Sequence, residues 1–212
     1  MPRPTETALK GRARALLEAM TERARWIYAV PRELGERHLR PILEAEGLRC
    51  EAHDAGAARF VQDDDKAMFV ALSSPELEVM LIEAAGSAAP AVIRKVLDKT
   101  GFYAQSQLLK TALDVHDPEA PKALRTLAHM VVAWDGDWND LFLLHLASPD
   151  PVARHEAVAA VSIAAMVARD PDPAVALLEE ALAREKFPKL RDTIAEAIQV
   201  IRGSTGGPVE AV

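Results

Sequence analysis

Residues 74–85 read Ser-Pro-Glu-Leu-Glu-Val-Met-Leu-Ile-Glu-Ala-Ala and place Leu77, Met80, Leu81 and Ala84 at offsets of 0, 3, 4 and 7. That spacing gathers four apolar side chains on one stripe of an α-helix. Ser74 ahead of Pro75 adds a capping hydroxyl followed by a proline, which the first helical turn tolerates. The stretch therefore predicts a helix over 75–85. The same pattern recurs on both sides of it. Ala13, Leu16, Leu17, Met20, Ala24 and Ile27 form a stripe that ends before Pro31. Leu124, Leu127, Ala128 and Val131 form another, and Leu190, Ile194, Ala197, Ile198 and Ile201 a further one. Asp117-Pro118, Asp150-Pro151 and Asp172-Pro173 repeat the capped helix start, and Gly86, Gly101 and Gly203 stand where a left-handed residue would end a helix. Helices are expected near 5–30, 31–46, 65–73, 75–85, 88–100, 103–115, 118–134, 138–147, 151–169, 173–186 and 189–202. The expected fold class is all-α.

Composition agrees with that expectation. Half of the 212 residues are hydrophobic but only 5% are aromatic, so the core must come from Leu, Ala, Val and Ile, which suit closely packed helices. Cys50 is the single cysteine, which excludes an intramolecular disulfide and a cysteine-rich zinc site. A reducing compartment is the simpler reading. The first residues, Met1-Pro2-Arg3-Pro4, lead into a charged stretch without the apolar core of a secretory signal, so a cytoplasmic location is expected. The apolar run 157–168 is shorter than a membrane span and reads as a buried helix.

Residues 48–62 fit the helical pattern less well. Leu48, Cys50 and Ala52 alternate with Arg49, Glu51 and His53, and Asp54-Ala55-Gly56 could turn the chain toward Arg59, Phe60 and Val61. A small hairpin or an irregular loop fits equally. The expected organisation is an N-terminal helical segment over 1–62, helical repeats over 63–202 and a loose tail over 203–212.

From Ser74 onward the expected helices come in pairs, and a pair buries both faces only by stacking on neighbours. Asp150-Pro151-Val152-Ala153-Arg154 and the Ala-rich run after it resemble HEAT-like, armadillo-type repeats, in which a half-repeat often opens on an Asp-Pro-x-Val-Arg pattern. Asp150, Pro151 and Arg154 match it, and Ala153 stands where Val is usual. Asp172-Pro173-Ala174-Val175 keeps the Val, with Ala176 in place of the Arg. The resemblance covers about 74–202. It implies a right-handed α-solenoid used for protein binding, with Arg154 near a turn, bonding neighbouring acidic groups and tying adjacent repeats.

The densest polar and aromatic cluster is Trp134-Asp135-Gly136-Asp137-Trp138-Asn139-Asp140. Asp135, Asp137 and Asn139 occupy the first ligand positions of a calcium loop, but Asp140 replaces the required Gly and Leu146 the bidentate Glu, so the motif fails. The plainer reading has Asp137 capping a helix that begins at Trp138, with the indoles packed across the turn. Exposed tryptophans near a turn are also common binding anchors. Trp134, Asp135, Asp137, Trp138 and Arg154 are therefore the candidate partner contacts. Some HEAT-like proteins are DNA glycosylases acting on alkylated bases, and Trp134, Asp135, Trp138 and Arg154 could serve in such a site. Charge opposes it: residues 61–212 carry 14 basic and 23 acidic side chains, against 11 and 9 over residues 1–60, and an acidic region repels phosphate. The same contrast allows subunits of the chain to pack together. The six histidines are scattered without a His-Glu-x-x-His pair, so no metal is expected. Glu18 and Glu22 interrupt the basic N-terminal face, which argues against membrane attachment. No cofactor or catalytic residue is assigned. The expected role is a non-enzymatic adaptor that binds another protein through a concave helical surface.

Overall fold

The computed structural model describes residues 25–54, 57–62 and 66–204. The chain divides into two compact units, 1–107 and 108–212. The first unit overturns the all-α solenoid: it carries a five-stranded antiparallel sheet. Its elements are β1 (Arg25–Pro31), α1 (Arg32–Ala45), β2 (Leu48–Asp54), β3 (Ala57–Gln62), β4 (Met68–Ser74), β5 (Val79–Ala85) and α2 (Ala89–Thr100). The strands lie in the order β1-β5-β4-β3-β2. Strands β2 to β5 form a meander, and α1 carries the chain from one sheet edge to the other. Five strands spaced about 4.8 Å span about 19 Å, which a 14-residue helix crosses at about 1.5 Å per residue.

The helix expected over 75–85 is thus β5, and that over 65–73 is β4. Both were misread because Val79-Met80-Leu81-Ile82 is apolar at every position, which satisfies either period. The helical stripe leaves out Val79 and Ile82, which are 3% and 0% exposed. A strand buried on both faces accounts for them. Ser74 and Pro75 open the tight β4–β5 connection, where Glu78 N–H donates to the Pro75 carbonyl at 3.2 Å. Residues 25–30, expected to end the first helix, form β1, which pairs with β5 through Tyr28 and Ile82. The rest of that expected helix lies outside the described residues. Residues 48–62 adopt the hairpin alternative, with Asp54 opposite Ala57 and a register shift between Cys50 and Ala52.

Helices α1 and α2 cover one face of the sheet, where Leu39, Leu43, Val92, Ile93 and Val96 pack on Val30, Phe60, Phe69, Met80 and Ile82. Gly35 lets α1 approach closely: a Cβ there would stand 2.9 Å from Met80 Sδ and 3.0 Å from Val30 Cγ2. After α2, Tyr103 N–H donates to the Ala29 carbonyl at 2.8 Å, which fastens the outgoing chain to β1.

Beyond it run α3 (Gln105–Leu113), α4 (Ala120–Ala128), α5 (Gly136–Leu146), α6 (Pro151–Ala168), α7 (Pro171–Arg184) and α8 (Pro188–Ser204). Each lies near its expected place. Helix α6 packs on α4, α5, α7 and α8. The buried arc of α6 is Ala157, Val158, Ala160, Val161, Ala164 and Ala165. With 18 residues and a mean hydropathy of 1.2, α6 is the one described helix long and apolar enough to cross a membrane. Gly203 continues α8 instead of ending it, and residues 205–212 lie outside the described part.

Two histidines make the helical unit acid-sensitive. Burial, with a lesser push from Arg125, lowers the pKa of His129 to about 4. Burial also lowers that of His145, opposed by the bond its Nε2–H donates to the Ala112 carbonyl at 2.6 Å. Both rings fold neutral, so their contribution is complete above the unfolded value near 6.5 and is lost as pH falls through the folded value. His129 alone accounts for about 2–3 kcal/mol by pH 4. Urea midpoints of the helical unit should fall between pH 7 and pH 4.5, and His129→Gln should flatten that slope.

Candidate functional site

Helices α5, α6 and α7 meet at a cleft organised by Arg154. Asp150 opens α6 by accepting from Val152 N–H at 2.9 Å, and Pro151 follows at the first helical position. This start sets Arg154 in the first turn, pointing across to the connection that follows α7. Its Nε donates to Glu185 Oε2 at 2.7 Å and its Nη2 to Glu185 Oε1 at 3.0 Å. Its Nη1 donates to the carbonyls of Ser148 at 2.8 Å and Pro149 at 3.1 Å, just past the end of α5. Glu185 also accepts from the backbone N–H groups of Lys186 and Phe187, both at 2.8 Å. Its side chain is only 6% exposed. The forked guanidinium beside it and those two amides outweigh burial and hold its pKa down to about 2.

Leu143, Leu146, Ala147 and Ala181 supply the apolar lining of a cleft of about 250 Å³ around this pair, and Arg184 and Lys186 stand at its cationic side. Arg184 is paired with Glu180 one turn earlier. Two exposed apolar residues are next in the chain to lining residues: Leu144, beside Leu143 and 40% exposed, and Phe187, beside Lys186 and 50% exposed.

The other candidate residues gather at the opposite end of α5. Asp135, and not Asp137, is the cap: its carboxylate accepts from Asp137 N–H at 3.0 Å and Trp138 N–H at 3.2 Å, so the helix begins at Gly136. Asp137 falls in the first turn, where an acidic side chain faces the positive end of the helix. Trp138 is 2% exposed. Trp134 is half-buried, and its Nε1–H donates to Asn139 Oδ1 at 2.6 Å. The two indoles meet through Phe142, with ring centroids 5.2 Å and 6.1 Å from it. An 11-residue helix puts this cluster about 16 Å along the axis from the Arg154 cleft. The five candidates therefore form two groups, and Trp138 belongs to the core of the helical unit.

Sequence reasoning singled out Arg154 but not its partner Glu185, which lies 31 residues away. It also missed Ala147, Ala181 and Lys186, whose only local mark is their place at helix ends. Among the described residues, no group of three His, Cys, Asp or Glu side chains could hold a metal ion. Comparison with protein-family models, with curated proteins and with solved structures finds no match to this chain.

Proposed function

We propose that the protein is a non-enzymatic adaptor whose helical unit, a HEAT-like stack of helix pairs, binds a partner segment in the Arg154 cleft. The observation that carries this reading is a cleft that joins the apolar side chains of Leu143, Leu146, Ala147 and Ala181 to the cations Arg184 and Lys186, with exposed Leu144 and Phe187 next in the chain to its lining residues. A large apolar side chain would be desolvated against Leu143, Ala147 and Ala181, and a nearby carboxylate would find Lys186. Arg154 shapes the cleft without offering its charge, because four of its donors are spent within the chain. The partner is a peptide segment that joins an apolar anchor to acidic residues.

No observation favours the glycosylase alternative. Trp138 is buried, Asp135 is used as a cap, and Arg154 is held by Glu185.

Peptides selected from a displayed random library on the full chain should be enriched in a large apolar residue beside Asp or Glu. Ala147→Arg, at an exposed position, should leave folding intact and weaken those peptides at least about tenfold, the scale of one lost apolar contact. Enrichment of basic peptides, or unchanged binding to Ala147→Arg, would refute the cleft as the binding site. Release of methylated bases from alkylated duplex DNA would remove the adaptor reading.

A further inference from the structure

Helix α6 is apolar around nearly its whole circumference, which suits a helix enclosed on all sides. It is not enclosed. Opposite its buried arc stand Val152, Ala159, Ile163 and Met166, which at about 100° per residue fall within about 60° of one another. Val152 is 65% exposed and Met166 55%. Ala159 and Ile163 between them are half-buried. Charged side chains usually fill the outer arc of a surface helix, and here they stand only at its edges.

We propose that this stripe is a homodimer interface, with α6 packed antiparallel on α6 of a second copy about a two-fold axis at Ala159. The stripe is self-complementary in the way a two-fold contact demands. Val152 lies seven residues before Ala159 and Met166 seven after it. Antiparallel pairing sets each Val152 against the other copy's Met166, so a short side chain meets a long adaptable one at both ends. The smallest residue falls at the crossing, where helix axes approach to about 8 Å. Seven-residue spacing keeps the three positions on one seam. A parallel pair would stack Met166 on Met166 at one end and leave a gap between valines at the other. The antiparallel arrangement also opposes the two helix dipoles.

Charge points the same way. The chain as a whole carries −7, so two copies repel unless they meet on a neutral face. At the edge of this one, Glu156 is matched by Arg125 of α4, with Nη1 to Oε2 at 3.1 Å, and both are largely covered already. His155 lies at the rim and stays hydrated.

Sedimentation equilibrium of the full chain at micromolar concentration should give twice the monomer mass of 23.0 kDa. Met166→Glu, at an exposed position, and Ala159→Glu should each weaken the dimer at least about a hundredfold, because each would bury two unpaired charges. Their circular dichroism should match the parent chain. With Cys50→Ser as background, Ala159→Cys should form an oxidised dimer and Val152→Cys should not, whereas a mixture of Val152→Cys and Met166→Cys should cross-link. A monomeric parent chain overturns the proposal, whether its stripe is then found on lipid vesicles or on another protein. A dimer that tolerates Met166→Glu, or one in which Val152→Cys links to itself, overturns it as well.

Discussion

Gly86→Ala should cost the sheet-bearing unit about 3–4 kcal/mol. Gly86 follows β5 with φ +100, a conformation that L side chains rarely adopt. The strain of that backbone is worth about 1–2 kcal/mol. An added Cβ would also fall 2.4 Å from the Lys66 carbonyl oxygen and 2.8 Å from its carbon. Backbone cannot swing aside as a side-chain tip can, and here it is pinned: the same carbonyl accepts from Ala88 N–H at 2.9 Å, and the Ala67 carbonyl accepts from Gln62 N–H at 3.0 Å. Forced overlap adds about 1–3 kcal/mol. Amide exchange should accelerate in β4, β5 and α2 while the helical unit is unchanged. Gly47→Ala is the matched control, since Gly47 has φ +80 and nothing within 4 Å of the added carbon. It should cost about 1 kcal/mol. Equal costs at the two glycines would show that the contact with Lys66 is not what matters.

Arg154→Met should destabilise the helical unit by about 2–4 kcal/mol. The substitution preserves most of the side-chain bulk and removes the fork, leaving the Glu185 carboxylate nearly covered and without its cation. A fully buried pair broken in this way costs about 3–5 kcal/mol, and partial exposure of Arg154 lowers that figure. The pH dependence has a definite sign. The folded pKa of Glu185, about 2, lies below its ordinary value of 4.5. Its contribution is therefore complete above about 4.5 and disappears as pH falls through 2. In Arg154→Met the carboxyl resonance of Glu185 should titrate well above 2, and the stability slope between pH 4.5 and pH 2 should shrink. Arg154→Lys keeps a charge but not the fork, and should recover only part of the loss. If Glu185 titrates unchanged in Arg154→Met, the backbone amides of Lys186 and Phe187 alone set its acidity.

The helices were legible where they carry punctuation. Asp150 and Pro151 mark the start of α6 to the residue, and Gly101, with φ +64, closes α2. The strands were not legible, for two reasons. Val79 to Ile82 is apolar at every position, so periodicity could not choose between a helix and a doubly covered strand. The pairing that decides the matter joins Arg25 to Ala85, a long-range contact that no local window contains. Ser74-Pro75 was misleading because capped helix starts and tight turns use the same residues. The cleft was half legible. Asp-Pro-x-x-Arg located Arg154, but Glu185, Ala147 and Ala181 become neighbours only when α5, α6 and α7 stack.

The route of α1 across the sheet bears on how the chain matures as it leaves the ribosome. Because β1 takes its partner from β5, synthesis must proceed about sixty residues past Arg25 before the first strand can be hydrogen-bonded. Until then Trp26-Ile27-Tyr28-Ala29-Val30 waits as a greasy, unsatisfied ribbon, which nascent-chain chaperones would be expected to shield. The later helical hairpins join neighbours close in sequence and incur little loop-closure entropy, so sheet closure should limit the overall folding rate.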